Sequence, residues 1–243
     1  MSETNTIQIQ ELTKSFGKKV VLKDINFDIK EGRIYGFIGP SGAGKTTLIK
    51  MMVGMDTPDQ GSVYLLGKKM PDLNILQNIG YMAQSDALYT ALTGKENLMF
   101  FASLFNLDKA EKQKRIAYTA DLVNLTVDLN KRVSAYSGGM KRRLSLAIAL
   151  IQNPKVLILD EPTVGIDPEL RLSIWNELSR LKNEEGKTII VTTHVMDEAE
   201  KCDDIAMVRD GSFIATGTPR QLKDHYKVNS LDEVFLTAGR KLQ

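Results

Sequence analysis

The chain is poor in the features that would send it outside the cell or into a bilayer. Its 243 residues contain one cysteine, Cys202, so no internal disulfide can form and a disulfide-stapled scaffold is excluded. No run approaches the roughly 18 to 20 apolar residues that a spanning helix needs, so a membrane role has to come through a partner. The opening MSETNTIQIQ has neither the basic segment nor the apolar stretch of a secretory leader, and the expectation is a cytoplasmic protein. Charge of one sign is missing too: 32 Lys and Arg stand against 30 Asp and Glu, a net charge of +2. That leaves no broad basic surface for nucleic acid and no acidic tail. Internal repeats and low-complexity tracts are absent. The length suits one large or two small domains and is enough to bury a substantial core.

What is present has two textures. IQIQELTKSF and VVLKDINFDI alternate apolar and polar residues on either side of Gly17-Lys18-Lys19, the pattern of an antiparallel hairpin. Then RIYGFIG, NIGYMAQ, KVLILDE and KTIIVTTH form short apolar runs expected of buried strands, with helical periodicity in TTLIKMMVGM, LRLSIWNELSRL and MDEAEKC. This is an α/β core with parallel strands. Between Ser85 and Ile151 strand patterns disappear, and TGKENLMFFASLFNL, KAEKQKRIAYTADLVNL and YSGGMKRRLSLAIAL read as an inserted helical subdomain. Its first helix is announced by Thr93 with Glu96 three residues on, a capping box. The tail from Gly217 reads as a short polar extension ending in one amphipathic segment, SLDEVFLTAG.

The most specific chemistry lies in GPSGAGKTT, Gly39 to Thr47, which follows an apolar strand and opens a helix. It fits the G-x-x-x-x-G-K-[ST] phosphate loop in its required context. Glycines let consecutive N–H groups curl around phosphate, Lys45 reaches the β and γ oxygens, and the Thr46 hydroxyl can ligate Mg²⁺. KVLILDEP then delivers Asp160 and Glu161 to a strand end, suited to holding Mg²⁺ and polarising a water. Gln84 and His194 also follow apolar strands, and in a parallel sheet such ends share the edge where ligands bind. Taken singly, Gln84 and His194 fit a structural role as well as a functional one. Phe16 suits either a core position or a ring on which adenine stacks.

In YSGGMKRRLSLAIAL, Ser137 is a good N-cap, and Met140, Leu144, Ala147, Ile148 and Ile151 recur at the helical period, placing the helix start near Gly138. Small residues leave its amide donors open to an anion, although nothing in this stretch completes a pocket. KRR at 141–143 reads most simply as the solvated side of the helix.

With GPSGAGKTT, YSGGM, LILDEPTVGID and TTH in this order, essentially the whole chain resembles the nucleotide-binding subunits of ATP-binding cassette transporters. The resemblance implies an α/β P-loop NTPase core of ABC ATPase type, with an antiparallel β subdomain and an inserted α-helical subdomain. It implies that 1–84 and 152–216 form the nucleotide-binding core, 85–151 the helical signature subdomain and 217–243 a short extension, all one ABC ATPase domain. Phe16 becomes the adenine-stacking ring, and Gly39, Pro40, Ser41, Gly42, Ala43, Gly44, Lys45, Thr46 and Thr47 the Walker A loop. Thr46, Gln84 and Asp160 become the Mg²⁺ residues, Glu161 the general base, and His194 the switch histidine. The segment ending at Asp167 is the D-loop. Ser137, Gly138 and Gly139 become the signature, which holds the γ-phosphate of ATP bound by a second, head-to-tail copy.

Met140 stands where the family's commonest signature has Gln, so a capping-box return bond to Ser137 is lost while the backbone amides remain. SGGMKRR, DPELR and LDEVFL look like the drug- and antibiotic-resistance exporter branch, whose permeases are separate chains. The expectation is an ATP- and Mg²⁺-dependent motor, a homodimer, peripheral to the cytoplasmic face of the membrane through its permease. Drug, antibiotic or lipid-like cargo is expected, and no nucleic acid. The alternatives are an ABC-type switch in translation or DNA repair and an importer ATPase. A P-loop kinase leaves YSGGM and TTH without a role.

Overall fold

The computed structural model describes residues 5–240, so the reading of MSETNTIQIQ and that of the C-terminal extension lie partly outside the described residues. The described residues form two compact units, 5–75 with 188–240 and 76–187.

The first unit begins with β1 (Asn5–Phe16) and β2 (Lys19–Lys30), the antiparallel hairpin that the alternation predicts, paired from Asn5↔Lys30 to Phe16↔Lys19 with register shifts along the way, among them one between Ile9 and Leu12. One face of the alternation buries Ile7, Ile9 and Leu12 from β1 with Leu22, Ile25 and Ile29 from β2. Next come β3 (Ile34–Ile38), α1 (Lys45–Met52), β4 (Gln60–Leu65) and β5 (Lys68–Lys69). The antiparallel sheet runs β2-β1-β4-β5. Every residue of β3 is buried, as an uninterrupted apolar run requires when a strand is covered on both faces.

The second unit holds β6 (Ile79–Met82), α2 (Gly94–Ser103), α3 (Lys109–Leu122), α4 (Gly138–Ala149), β7 (Val156–Asp160) and α5 (Pro168–Glu185). β6 and β7 are parallel, from Ile79↔Val156 to Met82↔Leu159. The helices start where their caps stand. Thr93 makes the complete capping box with Glu96, Asp108 accepts from the Glu111 amide, Ser137 accepts from Met140, and Asp167 caps α5 just before Pro168. Helix α5 ends on Gly186 at φ 64.

The chain then returns to the first unit with β8 (Thr188–Thr193), α6 (Met196–Ala199), β9 (Asp204–Arg209), β10 (Ser212–Gly217), α7 (Pro219–Tyr226) and α8 (Leu231–Arg240). β3 lies parallel to both β8 and β9, and β10 turns back antiparallel on β9. A Cβ on Gly36 of β3 would sit 2.9 Å from the Cys202 sulfur, which explains the glycine. Burial pushes that thiol far above its ordinary range, so Cys202 is an unreactive core residue. The extension from Gly217 contains two helices where the sequence suggests one. Helix α7 buries little beyond Pro219 and Leu222, too weak a periodic signal, yet its Thr218–Gln221 capping box is complete.

Two arginines tie α3 to α4 by closing each other's helix ends. Arg115 of α3 donates to the Leu150 and Ile151 carbonyls beyond α4, and Arg143 of α4 donates to the Val123 and Asn124 carbonyls beyond α3. These are the carbonyls that a helix terminus leaves without intrahelical partners. Leu150 and Ile151 are buried; the Leu150 carbonyl also accepts from the Asn153 amide at 3.1 Å, so the Ile151 carbonyl leans most on the Arg115 fork. Replacing Arg115 with Met, which keeps the apolar stem, should lower the unfolding free energy by about 2–3 kcal/mol. Arg143→Met should cost less, because its bond to Asn124 is exposed. Urea denaturation with an unchanged m-value checks both, and an Arg115→Met protein as stable as wild type would contradict the role given to the fork.

Candidate functional site

In the first unit the phosphate-loop sequence folds where β3 runs out. A Cβ on Gly39 would lie 2.1 Å from the Val208 carbonyl, so only glycine lets the chain leave the sheet there. Gly44 has φ 110, and a Cβ on it would meet Val21 O and Leu22 Cδ2 at 2.9 Å. Between them Pro40, Ser41 and Gly42 form an exposed rim, closed by the Ala43 amide donating to Pro40 O at 3.2 Å. Lys45 is buried, and its ammonium donates to the Gly39 and Pro40 carbonyls at 2.7 and 3.1 Å, across the mouth of the loop. Helix α1 starts with no side-chain cap and no acidic residue in its first turn, while Thr46 and Thr47 are half-buried there. A glycine cradle, a helix start with open donors and a buried ammonium fit an anion of phosphate type.

His194 belongs to the same edge. Ile38 of β3 pairs with Thr193 of β8, so Gly39 and His194 are the next residues of neighbouring parallel strands. The Thr193 hydroxyl donates to Glu198 Oε2 at 2.7 Å and accepts from the Val195 amide at 3.0 Å, a bend that carries His194 out into an exposed position. Phe16 is 52% exposed at the end of the hairpin, with Lys14 Nζ 5.3 Å from its ring centroid. Its exposure removes the core alternative. Lys14 is itself fixed by Asp56 Oδ1 at 2.9 Å and Thr57 O at 2.7 Å.

In the second unit β7 delivers Asp160, 1% exposed, and Glu161, which is half-buried with a left-handed φ of 54. Such a backbone is uncommon for a glutamate and persists only where the surroundings fix it. Met82 pairs with Leu159, so Ala83 and Asp160 follow at the same end of the two strands, with Gln84 exposed beyond. Burial and then the Asp160 carboxylate push the Tyr81 phenol up to about 12, leaving it neutral at working pH.

Arg142 overturns the reading of KRR as a solvated face: it is 7% exposed and points inward. Its Nη1 donates to the Ala83 and Gln84 carbonyls at 2.8 and 2.9 Å, and its Nη2 to the carbonyls of Asp160 and, at 2.7 Å, Glu161. The missed signal was a second buried stripe, since Arg142, Leu146 and Ala149 recur at the helical period. At the start of the same helix, Ser137 and Gly138 are exposed, and Ser137 Oγ accepts from the Met140 amide at 3.2 Å. Nothing lies within 4 Å of a Cβ placed on Gly138, whereas one on Gly139 would be 3.1 Å from Gly165 O. Asp167 serves locally as the α5 cap, accepting from Leu170 at 3.0 Å.

The loop between Gln84 and α2 is also built deliberately. The Asn97 side chain, fully buried, accepts from the Tyr89 amide at 3.0 Å and donates to the carbonyls of Tyr89 and Thr93 at 3.0 and 2.9 Å. This holds Tyr89 49% exposed against Phe100, ring centroids 4.7 Å apart, beside exposed Met99 and Leu104. Leu88 and Leu92 are half-buried. Among the described residues no group of three or more His, Cys, Asp or Glu could hold a metal, and no helix is long and apolar enough to cross a membrane.

The family model described as ABC transporter matches residues 22–164, more than half of the chain. The linearmycin resistance ATP-binding protein LnrL of Bacillus subtilis is 39% identical over 97% of this chain and 79% of its own length. The Nod factor export ATP-binding protein I of Rhizobium meliloti is 42% identical over 91% of this chain and 67% of its own. Among solved structures, an ATP binding subunit of an ABC transporter superimposes with a TM-score of 0.89 at 27% identity, covering 97% of this chain and 100% of that one. The bacterial ABC transporter cassette MJ0796, in dimeric form, gives 0.82 at 30% identity over 87% and 98%. The same cassette bound to ADP and Pi after hydrolysis gives 0.81 at 29% identity over 87% and 98%. On the family match over more than half of its length and these relatives, the chain belongs to the ATP-binding family of ABC transporters and is an ATPase of that family.

Proposed function

We propose that the chain is the ATP-hydrolysing motor of an exporter, acting as a homodimer on the cytoplasmic face of the membrane through a separate permease. The observation that carries the reading is a contrast among helix starts. Helices α2, α3, α5, α6 and α8 carry Asp or Glu in the first turn, whereas α1, α4 and α7 have none; of these three, α7 opens on Thr218 and Pro219, while α1 and α4 present glycines at the start. Acidic first turns favour a helix alone, so their absence suits starts that receive an anion. In the dimer each ATP lies between the Gly39–Thr47 loop of one copy and Ser137, Gly138 and Gly139 of the other.

Within that site Phe16 stacks on adenine, Lys45 meets the β and γ oxygens, and His194 contacts the γ-phosphate. Glu161 takes the proton of the water that attacks the γ-phosphorus as the bond to the bridging oxygen breaks, giving ADP and phosphate. Mg²⁺, when bound, neutralises charge on the phosphate oxygens, and Thr46, Gln84 and Asp160 are the residues suited to hold it, the small donor set expected of an ion carried largely by a nucleotide. Two relatives named for linearmycin resistance and Nod factor export support outward transport of a drug, antibiotic or lipid-like cargo. The exposed aromatic ledge of Tyr89 and Phe100 is the surface proposed to seat the permease.

Glu161→Gln should retain ATP binding, lose turnover by about 10²–10⁴-fold and trap an ATP-bound dimer. Gel filtration of this variant with ATP and the permease that finds only monomer would contradict the dimer. Tyr89→Ser should leave the isolated subunit's ATPase intact while lowering its stimulation by the permease; equal stimulation would move the docking surface elsewhere. The composite site is tested by mixing a Lys45→Ala subunit with a Ser137→Arg subunit. A signature acting across the interface leaves one intact site per mixed dimer, so nucleotide trapping should recover one occluded ATP. A signature serving its own copy leaves none.

A further inference from the structure

We propose that Arg142 is a positioning residue that makes the signature helix, the Gln84 loop and the Asp160–Glu161 strand end move as one rigid piece. The inference rests on the role given above to Glu161 and deepens it. Four backbone carbonyls converge on one guanidinium: Ala83 and Gln84 on one amino group, Asp160 and Glu161 on the other. The Glu161 carbonyl also accepts from the Val164 amide at 3.4 Å, and a planar fork with donors fixed in direction can hold two pairs of carbonyls at once. The outer rim is tied as well, since Asp86 Oδ1 lies 3.7 Å from Arg142 Nη1 and accepts from the Ser145 hydroxyl at 2.7 Å. Burial pushes the Arg142 pKa below its ordinary value, and the carboxylates of Asp86, Asp160 and Glu161 oppose that shift.

The consequence is mechanical. Glu161 occupies a left-handed backbone conformation, and Arg142 grips the carbonyls of that residue and of the one before it, so the direction of its carboxylate is set from the fork. Residue 142 sits less than two turns from Ser137 on the same helix. A signature drawn onto the partner's nucleotide therefore carries the carboxylate of its own chain with it. Arg142 touches neither nucleotide in this scheme; it acts through Glu161 and Gln84.

The test compares Arg142→Lys and Arg142→Met with wild type in the intact dimer, using MgATP as the probe. Lys keeps charge and reach but is a single point donor that cannot serve both carbonyl pairs. Steady-state kinetics should show KM for ATP within about threefold of wild type and kcat reduced at least about tenfold in Arg142→Lys, with a larger loss in Arg142→Met, as expected when a reacting group is misplaced rather than removed. Thermal melts identify any Met variant that fails to fold, in which case Arg142→Lys decides. Wild-type kcat in folded Arg142→Lys, or a rise in KM that accounts for the whole loss, would overturn the proposal. The reading of Glu161 as base fails separately, if Glu161→Gln turns over ATP normally.

Discussion

Amide donors left over at helix starts are the constraint around which this protein is arranged. An α-helix cannot satisfy its own first turn, and the other described helices answer with a capping side chain, an acid or both. Helix α1 has neither, because Gly44 at φ 110 supplies no side chain and Lys45 brings positive charge to the same end. The surrounding sequence accommodates that choice. Gly39 must pass within van der Waals reach of the Val208 carbonyl, Gly44 must pass Val21, and β3 must be buried along its length to bring the loop to the strand end. An uncapped start is costly for folding unless a ligand uses it, which is why the arrangement reads as a site.

The complementary problem, carbonyls left over at strand and helix ends, is met in the second unit by arginines. Arg115 and Arg143 close the ends of α4 and α3, and Arg142 collects the ends of β6 and β7. Each places a charged fork on carbonyls at an element's end, where an acceptor left unsatisfied in a buried position costs about 1–3 kcal/mol. A net charge of +2 gives no hint of this, since these arginines are spent on the protein's own backbone rather than offered to a polyanion.

What was legible in the sequence and what was not divides along the same line. Alternation in β1 and β2, the capping box at Thr93, the cap at Ser137 and the strand-loop-helix context of Gly39 to Thr47 are local, and local spacing reports them. Arg142 escaped because a charged residue on a helix is read as solvated, and only long-range carbonyls at 83, 84, 160 and 161 reveal its burial. Helix α7 escaped because it is eight residues long with a narrow apolar face, so its cap was the sole clue. Phe16 could not be assigned from its type; its exposure decided between core and surface.

The central claim is that the uncapped start of α1 and the Lys45 loop form the phosphate-binding site. The most direct measurement is the melting temperature of the isolated subunit titrated with ATP, ADP or adenosine at constant Mg²⁺. A ligand that binds only the native state stabilises it by about 2.7 kcal/mol at a hundred times its dissociation constant. The account predicts that ATP and ADP raise the melting temperature in proportion to the logarithm of their concentration, while adenosine at equal concentration leaves it almost unchanged. Equal stabilisation by adenosine, or none by ATP at millimolar concentration, would contradict it.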